Sequence, residues 1–311
     1  MATAKDIAKA AKLLKEGGVV AFPTETVYGL GADAFNEAAI ARVFEIKNRP
    51  RFDPLIVHIA DMKQLKTLAR DIPAVARKLA RKFWPGPLTL ILPKTRAVPD
   101  IVTAGGETVG VRMPDHPIAL RLIAACGQPV AAPSANPFGA TSPTTAAHVR
   151  EQLGKRVDMI LDGGPCRVGL ESTVVEFPAR GKPRVLRPGG LAVEDIEAVV
   201  GPVAISAHSS SKPKSPGMLE RHYAPRTRLV IGGKPGGKRV GLLKIFGLVP
   251  KGTFAAVEVL SAKGDLREAA AHLFAAMRRL DALKLDVIMA ELAPEEGLGR
   301  AINDRLRRAA M

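Results

Sequence analysis

Between Gly201 and Arg226 the chain loses every hydrophobic period. The segment is rich in Ser, Pro, Lys and His, and such a stretch reads as a linker rather than as a folded element. It divides the sequence into residues 1–200, residues 201–226 and residues 227–311. The chain is thereby constrained to two folded units joined by a polar connection.

Residues 1–200 alternate between the two hydrophobic periods. An amphipathic helix is expected from Ala4 to Glu16, stopped by Gly17-Gly18, and an apolar strand from Val19 to Phe22. Asn36 caps a helix to about Ile46, Leu55–Ile59 reads as a strand, and Asp61 with Gln64 forms a capping box before a helix to Leu68. A helix over Ala74–Phe83 precedes strands Leu88–Leu92 and Val109–Met113. Asp115 and Pro117 open a helix that ends by Gly127, and Ser142 with Pro143 opens another that stops at Gly154. Strands Val130–Ala132, Met159–Leu161, Thr173–Phe177 and Val185–Leu186 and a helix Val193–Val200 complete the unit. So many strands interleaved with helices predict an α/β or α+β domain on a twisted sheet. After the linker, strands Leu229–Ile231, Val240–Ile245, Ala255–Leu260 and Val287–Glu291 with helices Leu266–Leu280 and Arg300–Arg308 predict a small Rossmann-like α/β domain.

Composition removes several function classes. Hydrophobic residues make up 47% and charged residues 24%, an ordinary globular balance. Apolar runs stay below the ~18 residues of a spanning helix. Met1–Glu16 mixes lysines and acids and lacks the apolar centre of a secretory signal. Cys126 and Cys166 stand far apart, outside any C-x-x-C pair, as reduced thiols do. A cytoplasmic location away from membranes is the expectation. The formal net charge of +16 implies an anionic partner, nucleotide or nucleic acid, unless the basic surface serves only solubility. Aromatic residues at 4% argue against stacking platforms for single strands.

Several segments carry chemistry. Phe22-Pro-Thr-Glu-Thr-Val-Tyr-Gly-Leu-Gly31 runs from an apolar strand into threonines, a carboxylate and two glycines that suit a tight backbone turn. Gly29, Gly31 and Ala34 match G-x-G-x-x-A in form, but the glycines lie too far past the strand for a dinucleotide fingerprint, and G-x-x-x-x-G-K-[ST] is absent. Lys47-Asn-Arg49-Pro-Arg51 leaves its helix at a proline, so Lys47, Arg49 and Arg51 are expected to point one way along an extended loop, toward polyphosphate or bicarbonate, or else into solvent. His58 lies inside an apolar strand, as a hydrogen-bonded core residue or as a substrate contact. Arg112, in the apolar strand Val109–Met113, needs a carboxylate or phosphate partner, either a structural ion pair or a substrate carboxylate. Ala132-Pro-Ser134-Ala-Asn136 through Ser142 places small side chains and hydroxyls before a helix N-terminus, an arrangement that suits an anion or a plain turn. Serine–histidine–acid triads and H-E-x-x-H are absent from the sequence. Such residues favour binding and positioning over nucleophilic catalysis, and no metal ligands are expected.

Taken together, Phe22–Gly31, Lys47-x-Arg49-Pro with Pro54-Leu-Ile-Val-His58, Trp84-Pro-Gly-Pro-Leu-Thr89, Val111-Arg-Met-Pro114, Ala132–Asn136, Glu171-Ser-Thr173 and Leu186-Arg-Pro-Gly189 resemble the YrdC-like family. With Ser215–Pro225, which differs from the family's joining segment at Leu219-Glu220, the resemblance is to its two-domain form. It implies a twisted mixed sheet followed by the Rossmann-like domain. It also implies an adenylate-forming nucleotidyltransferase: L-threonine, bicarbonate and ATP give L-threonylcarbamoyladenylate and pyrophosphate. A transferase complex then passes the threonylcarbamoyl group to tRNA adenosine beside the anticodon. Carried over by position, Thr26, His58, Arg112, the Ala132 backbone and Ser172 would hold threonine. Arg49, Asp53, Thr108, Ser134, Ser142, Arg187 and the linker's Tyr223 would hold ATP. Lys47 would neutralise phosphate or bicarbonate, making Lys47 and Arg49 the catalytic pair. Mg2+ is expected with ATP, held largely by the triphosphate, and the linker around Tyr223 is expected to close over the site. Two other readings stay open: transfer of a carbamoyl group from carbamoyl phosphate, or a non-catalytic basic module that binds RNA directly.

Overall fold

In the computed structural model the described residues are 1–179, 181–206, 215–217, 221–233, 239–250 and 252–311. Their strands are β1 Val20–Phe22, β2 Gly29–Asp33, β3 Ile56–His58, β4 Leu88–Pro93, β5 Thr108–Arg112, β6 Val130–Ala131, β7 Met159–Ile160, β8 Thr173–Glu176, β9 Arg184–Arg187 and β10 Ala204–Ile205 in the first unit. In the second unit they are β11 Leu229–Ile231, β12 Val240–Lys244, β13 Ala256–Val259 and β14 Val287–Ala290. The helices are α1 Ala4–Lys15, α2 Glu37–Lys47, α3 Met62–Leu68, α4 Ala74–Phe83, α5 Asp100–Thr103, α6 Pro117–Cys126, α7 Ala146–Leu153 and α8 Val193–Val200, then α9 Leu266–Ala282 and α10 Gly299–Ala309.

The first unit is one mixed sheet, in the order β10-β9-β8-β4-β5-β3-β6-β2-β1-β7. Its centre pairs β3 with β5 in parallel and β4 with β5 in antiparallel register. Both faces are buried because both carry helices. Val20 and Phe22 pack with Ile7 and Leu14 of α1 and Leu122 of α6. Their alternates Val19 and Ala21 pack with Ile40 and Val43 of α2 on the opposite face. The helix caps follow the sequence: Asn36 accepts from the Ala39 amide, and Asp61 with Gln64 closes the capping box.

Three local expectations are corrected. Gly29 and Gly31 do not turn the chain; they lie within β2, antiparallel to β1. Gly31 is required by packing, since a Cβ there would stand 2.6 Å from Phe22 Cε1 and 2.8 Å from Val130 Cγ1. The helix placed after Ser142-Pro143 begins later, at Ala146, because the Thr145 side chain caps it. His116, rather than Asp115, caps α6.

The second unit is a parallel sheet, β11-β14-β12-β13, with α9 and α10, which agrees with the Rossmann-like expectation. Its core takes in Val27, Leu170 and Tyr223 from outside residues 227–311, so the two units share one apolar interface. Arg278 of α9 reinforces it by donating to the Thr141 carbonyl and, at 2.8 Å, to Gln152 Oε1. In the linker, Ala204–Ile205 adds a short edge strand beside β9. Residues 207–214 and 218–220, including Leu219 and Glu220, lie outside the described residues.

Candidate active site

The end of β3 meets the end of β5, with His58 paired to Arg112 in parallel register. Beside them lie the loop after β1, the loop after β6, the start of β8, the end of β9 and the linker. Together they line one cleft. Thr26, His58, Arg112, Ala132 and Ser172, expected for threonine, all line it. So do Arg49, Ser134, Arg187 and Tyr223, expected for ATP.

Each of these side chains is held by its local structure. Thr26 Oγ1 is 2.8 Å from Thr24 Oγ1, and Thr24 donates to the Val27 carbonyl at 2.6 Å, which folds the segment after β1 into a small hydroxyl cluster. Arg49 follows Asn48, whose left-handed φ of 51° ends α2. Arg49 Nε donates to the Asp53 carbonyl at 3.0 Å and Nη2 to the Pro54 carbonyl at 2.8 Å, while Nη2 stands 2.9 Å from Asp53 Oδ2. Arg112 Nη2 lies 2.7 Å from Glu25 Oε1, both buried, so the ion pair and the place on the cavity wall coexist. Ser172 Oγ is 2.8 Å from Thr89 Oγ1. Arg187 grips the Ser172 carbonyl through Nε and Nη2 at 3.2 and 2.9 Å, and its Nη1 donates to Pro216 of the linker at 2.8 Å. Tyr223 keeps a left-handed backbone, φ 63°, uncommon for a side chain of its size, and this sets its ring against the cavity.

Four of the expected site residues do not line the cleft. Lys47 is buried and donates through Nζ to the Ser134 and Asn136 carbonyls, each at 2.5 Å. It pins the loop after β6 rather than facing an anion. Asn48 turns the chain, so Lys47, Arg49 and Arg51 diverge, and Arg51 is exposed. Asp53 stands behind Arg49 as its counter-charge. Ser142 donates to Glu171 Oε1 at 2.5 Å, behind the wall. Thr108 begins β5 opposite Pro93, four residues before Arg112 and therefore ~13 Å away along the strand.

Burial sets the electrostatics. It pulls the His58 imidazole down to about 3, with Arg112 adding to the effect, so the ring is neutral. It also lowers Lys47 well below the usual ammonium range, assisted by Arg49. It raises Asp53, opposed by Arg49. Burial alone would raise Glu171, but Arg305, Arg187 and the Ser142 hydrogen bond more than offset it and hold this carboxyl low. Cys166 is pushed up by burial and lies off the cleft, which gives it no nucleophilic part. The cleft wall thus carries three arginines, Arg49, Arg112 and Arg187, each fixed by hydrogen bonds or an ion pair.

Glu171 and His222 also line the cleft, although sequence reasoning gave neither a role. Glu171 lay within a quoted motif. His222, buried beside Tyr223 with ring centroids 4.1 Å apart, carried no signal of its own.

Known proteins agree with this architecture. The Sua5/YciO/YrdC family model, described as "telomere recombination", matches residues 12–189. The model described as "threonylcarbamoyl-AMP synthase, C-terminal domain" matches residues 191–311. The chain is similar to a threonylcarbamoyl-AMP synthase of Bacillus subtilis, 49% identical over 98% of this chain and 92% of that one. It is similar to another of Pyrococcus abyssi, 46% identical over 97% and 93%. The crystal structure of P. abyssi Sua5 complexed with L-threonine superposes with a TM-score of 0.92 at 45% identity, covering 98% of this chain and 94% of that one. Escherichia coli YciO, at 29% identity and a TM-score of 0.53, covers 60% of this chain and 89% of its own.

Proposed function

The chain belongs to the Sua5/YciO/YrdC family, and from that premise we propose that it makes L-threonylcarbamoyladenylate from L-threonine, bicarbonate and ATP, with release of pyrophosphate. This is the first step of threonylcarbamoyl modification of tRNA adenosine next to the anticodon. The observation that carries the reading is that Arg49 and Arg112 line one cleft together with Ala132, Pro133 and Ser134.

The chemistry suits these residues. Threonine's neutral amine attacks the carbon of bicarbonate, a C–O bond breaks and water leaves, giving a carbamate without an enzymic nucleophile. A carbamate oxygen then attacks the α-phosphorus, the bond to the bridging oxygen breaks, and pyrophosphate leaves. That makes the enzyme a nucleotidyltransferase. Its task is to align two anions and offset their charge, and orientation alone can supply ~7–11 kcal/mol. Arg112 takes the threonine carboxylate, with Thr26, neutral His58, the Ala132 backbone and Ser172 around the amino acid. Arg49, Arg187, Ser134 and Tyr223 take the nucleotide. Lys47 acts from behind by fixing the loop that carries Ser134. Asp53 and Ser142 act the same way, through Arg49 and Glu171.

Magnesium enters as the counter-ion of the triphosphate. It would be held by phosphate oxygens and water rather than by a protein cage. Pro216, Gly217 and Tyr223 of the linker close one side of the cleft and keep water from a labile mixed anhydride. Among the described residues no helix is long and apolar enough to cross a membrane. We place the enzyme in the cytoplasm, where a tRNA-directed transferase consumes its product. The net charge of +16 suits work close to that polyanion.

The test is to incubate the protein with MgATP, bicarbonate and each amino acid singly, and to measure pyrophosphate and the mass of the adenylate. Release with threonine alone is the expected result. Equal release with every amino acid, or product formed from carbamoyl phosphate in place of bicarbonate, overturns the reading.

A further inference from the structure

One side chain of the C-terminal unit reaches the back wall of the cleft. Arg305, on α10, is fully buried, and a guanidinium held out of water needs partners that offset the loss of hydration. Its Nε donates to Glu171 Oε2 at 2.8 Å and its Nη1 to Asp304 Oδ2 at 2.5 Å. Its Cζ stands 4.8 Å from the centroid of the Tyr223 ring, a cation–π contact. Glu171 and Tyr223 both line the cleft, and the other oxygen of Glu171 is taken by Ser142. One side chain thus touches two wall residues at once, and neither is its neighbour in sequence.

A second observation points the same way. The loop that carries Glu171 and Ser172 rests on α9. Gly169 has φ +75°, and a Cβ there would meet the Ala270 carbonyl oxygen at 2.4 Å and Ala271 Cα at 2.5 Å. The next residue, Leu170, is buried in the core of the C-terminal unit. The loop is therefore seated on one helix of that unit and pinned by the other.

Glu171 would otherwise be a liability. A carboxylate on the wall of a cleft that admits a triphosphate repels it, and burial strengthens the repulsion. Arg305 supplies the compensating charge from behind, and Ser142 and Arg305 each engage one carboxylate oxygen. Burial alone would raise the Glu171 carboxyl, and Arg305 is the foremost of the groups that hold it low.

We propose that Arg305 is a positioning residue for the nucleotide half of the cleft: by pairing with Glu171 and covering Tyr223, it lets the C-terminal unit set the ATP site. The inference rests on the synthase reading above and adds to it a task for the C-terminal unit.

The experiment uses the full chain and reads three quantities: KM for MgATP in pyrophosphate release, equilibrium binding of MgATP, and equilibrium binding of threonine. Arg305→Met is expected to weaken MgATP about 30-fold or more, the scale seen when one member of a buried charge pair is removed, while threonine binding stays within about threefold. The double variant Arg305→Met/Glu171→Gln recovers about tenfold of the loss, since it removes the charge that Arg305 no longer offsets. A variant that is less heat-stable but keeps its KM for MgATP makes Arg305 a structural residue only and overturns the proposal. Equal loss of ATP and threonine affinity also overturns it. Should Arg305→Met fail to fold, Arg305→Lys, which keeps the charge and loses the fork, decides: a KM for MgATP about tenfold higher supports the proposal, and an unchanged KM overturns it. A wild-type protein that binds MgATP yet releases no pyrophosphate with threonine defeats the synthase reading instead, and the binding measurement still reports on Arg305.

Discussion

His58 makes acid stability a direct measure of how dry its side of the cleft is. The imidazole is 3% exposed and faces Arg112, and its pKa is pulled from the usual 6.5 to about 3. The folded protein therefore keeps the ring neutral at a pH where the unfolded chain protonates it. Because the unfolded state binds more protons, stability is lost as pH falls from about 6.5 toward about 3, and is fully present above that window. Between pH 7 and pH 5, integrating the proton-uptake difference for an unfolded pKa near 6.5 gives a loss of ~2 kcal/mol from this one group. The assay is urea unfolding at both pH values, for the parent and for His58→Gln. Every other titrating group, including buried His222, is common to the two proteins and cancels in the comparison. The parent is expected to lose ~2 kcal/mol more than the variant on going from pH 7 to pH 5. If both lose the same amount, the ring is solvated or already charged. A neutral imidazole on the wall of the cleft, as the proposed threonine site requires, is then wrong.

Two further substitutions probe the walls. Gly31→Ala is expected to destabilise the fold by ~1–3 kcal/mol, because the new methyl overlaps Phe22 and Val130 and β2 cannot move without disturbing its pairing with β1. Thermal unfolding measures it, and a midpoint equal to the parent's contradicts the packing account. Asp53→Asn leaves Arg49 buried with carbonyls and no carboxylate, and should cost ~3–5 kcal/mol. It should also raise the KM for MgATP, and an unchanged KM with a stable fold would remove Arg49 from the nucleotide site.

Much of this was legible in the sequence, and the misses share a physical cause. Asn36, the Asp61–Gln64 box and the span of α4 were readable because caps and amphipathic period are local. The parallel Rossmann-like unit was readable because its hydrophobic period is local to each strand and helix. β2 was not, since its glycines serve contacts with Phe22 and Val130 that exist only after the sheet forms. Lys47 and Arg49 alternate in sequence, which suggests a shared direction, but one left-handed residue between them sends Lys47 to backbone carbonyls and Arg49 to the cleft. Thr108 lies on the same face of β5 as Arg112, and the strand's length carries it away. The Arg305–Glu171 contact spans 134 positions, and no local pattern announces a pairing that depends on how two units dock.

The way the arginines are held explains how a cleft backed by carboxylates can still attract anions. Arg49 meets Asp53, Arg112 meets Glu25, and Arg305 meets Glu171, so three charges are offset by three. Arg187 differs: among the described residues its hydrogen bonds go to the Ser172 and Pro216 carbonyls and to Ser172 Oγ. Carbonyl dipoles fix the direction of a guanidinium without cancelling its net charge, so its field stays available to a ligand. Carbonyl bonds also orient Arg49, through Asp53 and Pro54, which leaves little side-chain freedom to be lost when substrate arrives. Arg187, oriented in advance by carbonyls and joined to the linker through Pro216, puts positive charge where the linker meets the cleft. A triphosphate seated there would bring its α-phosphorus toward the threonine side, which is the alignment that adenylate formation requires.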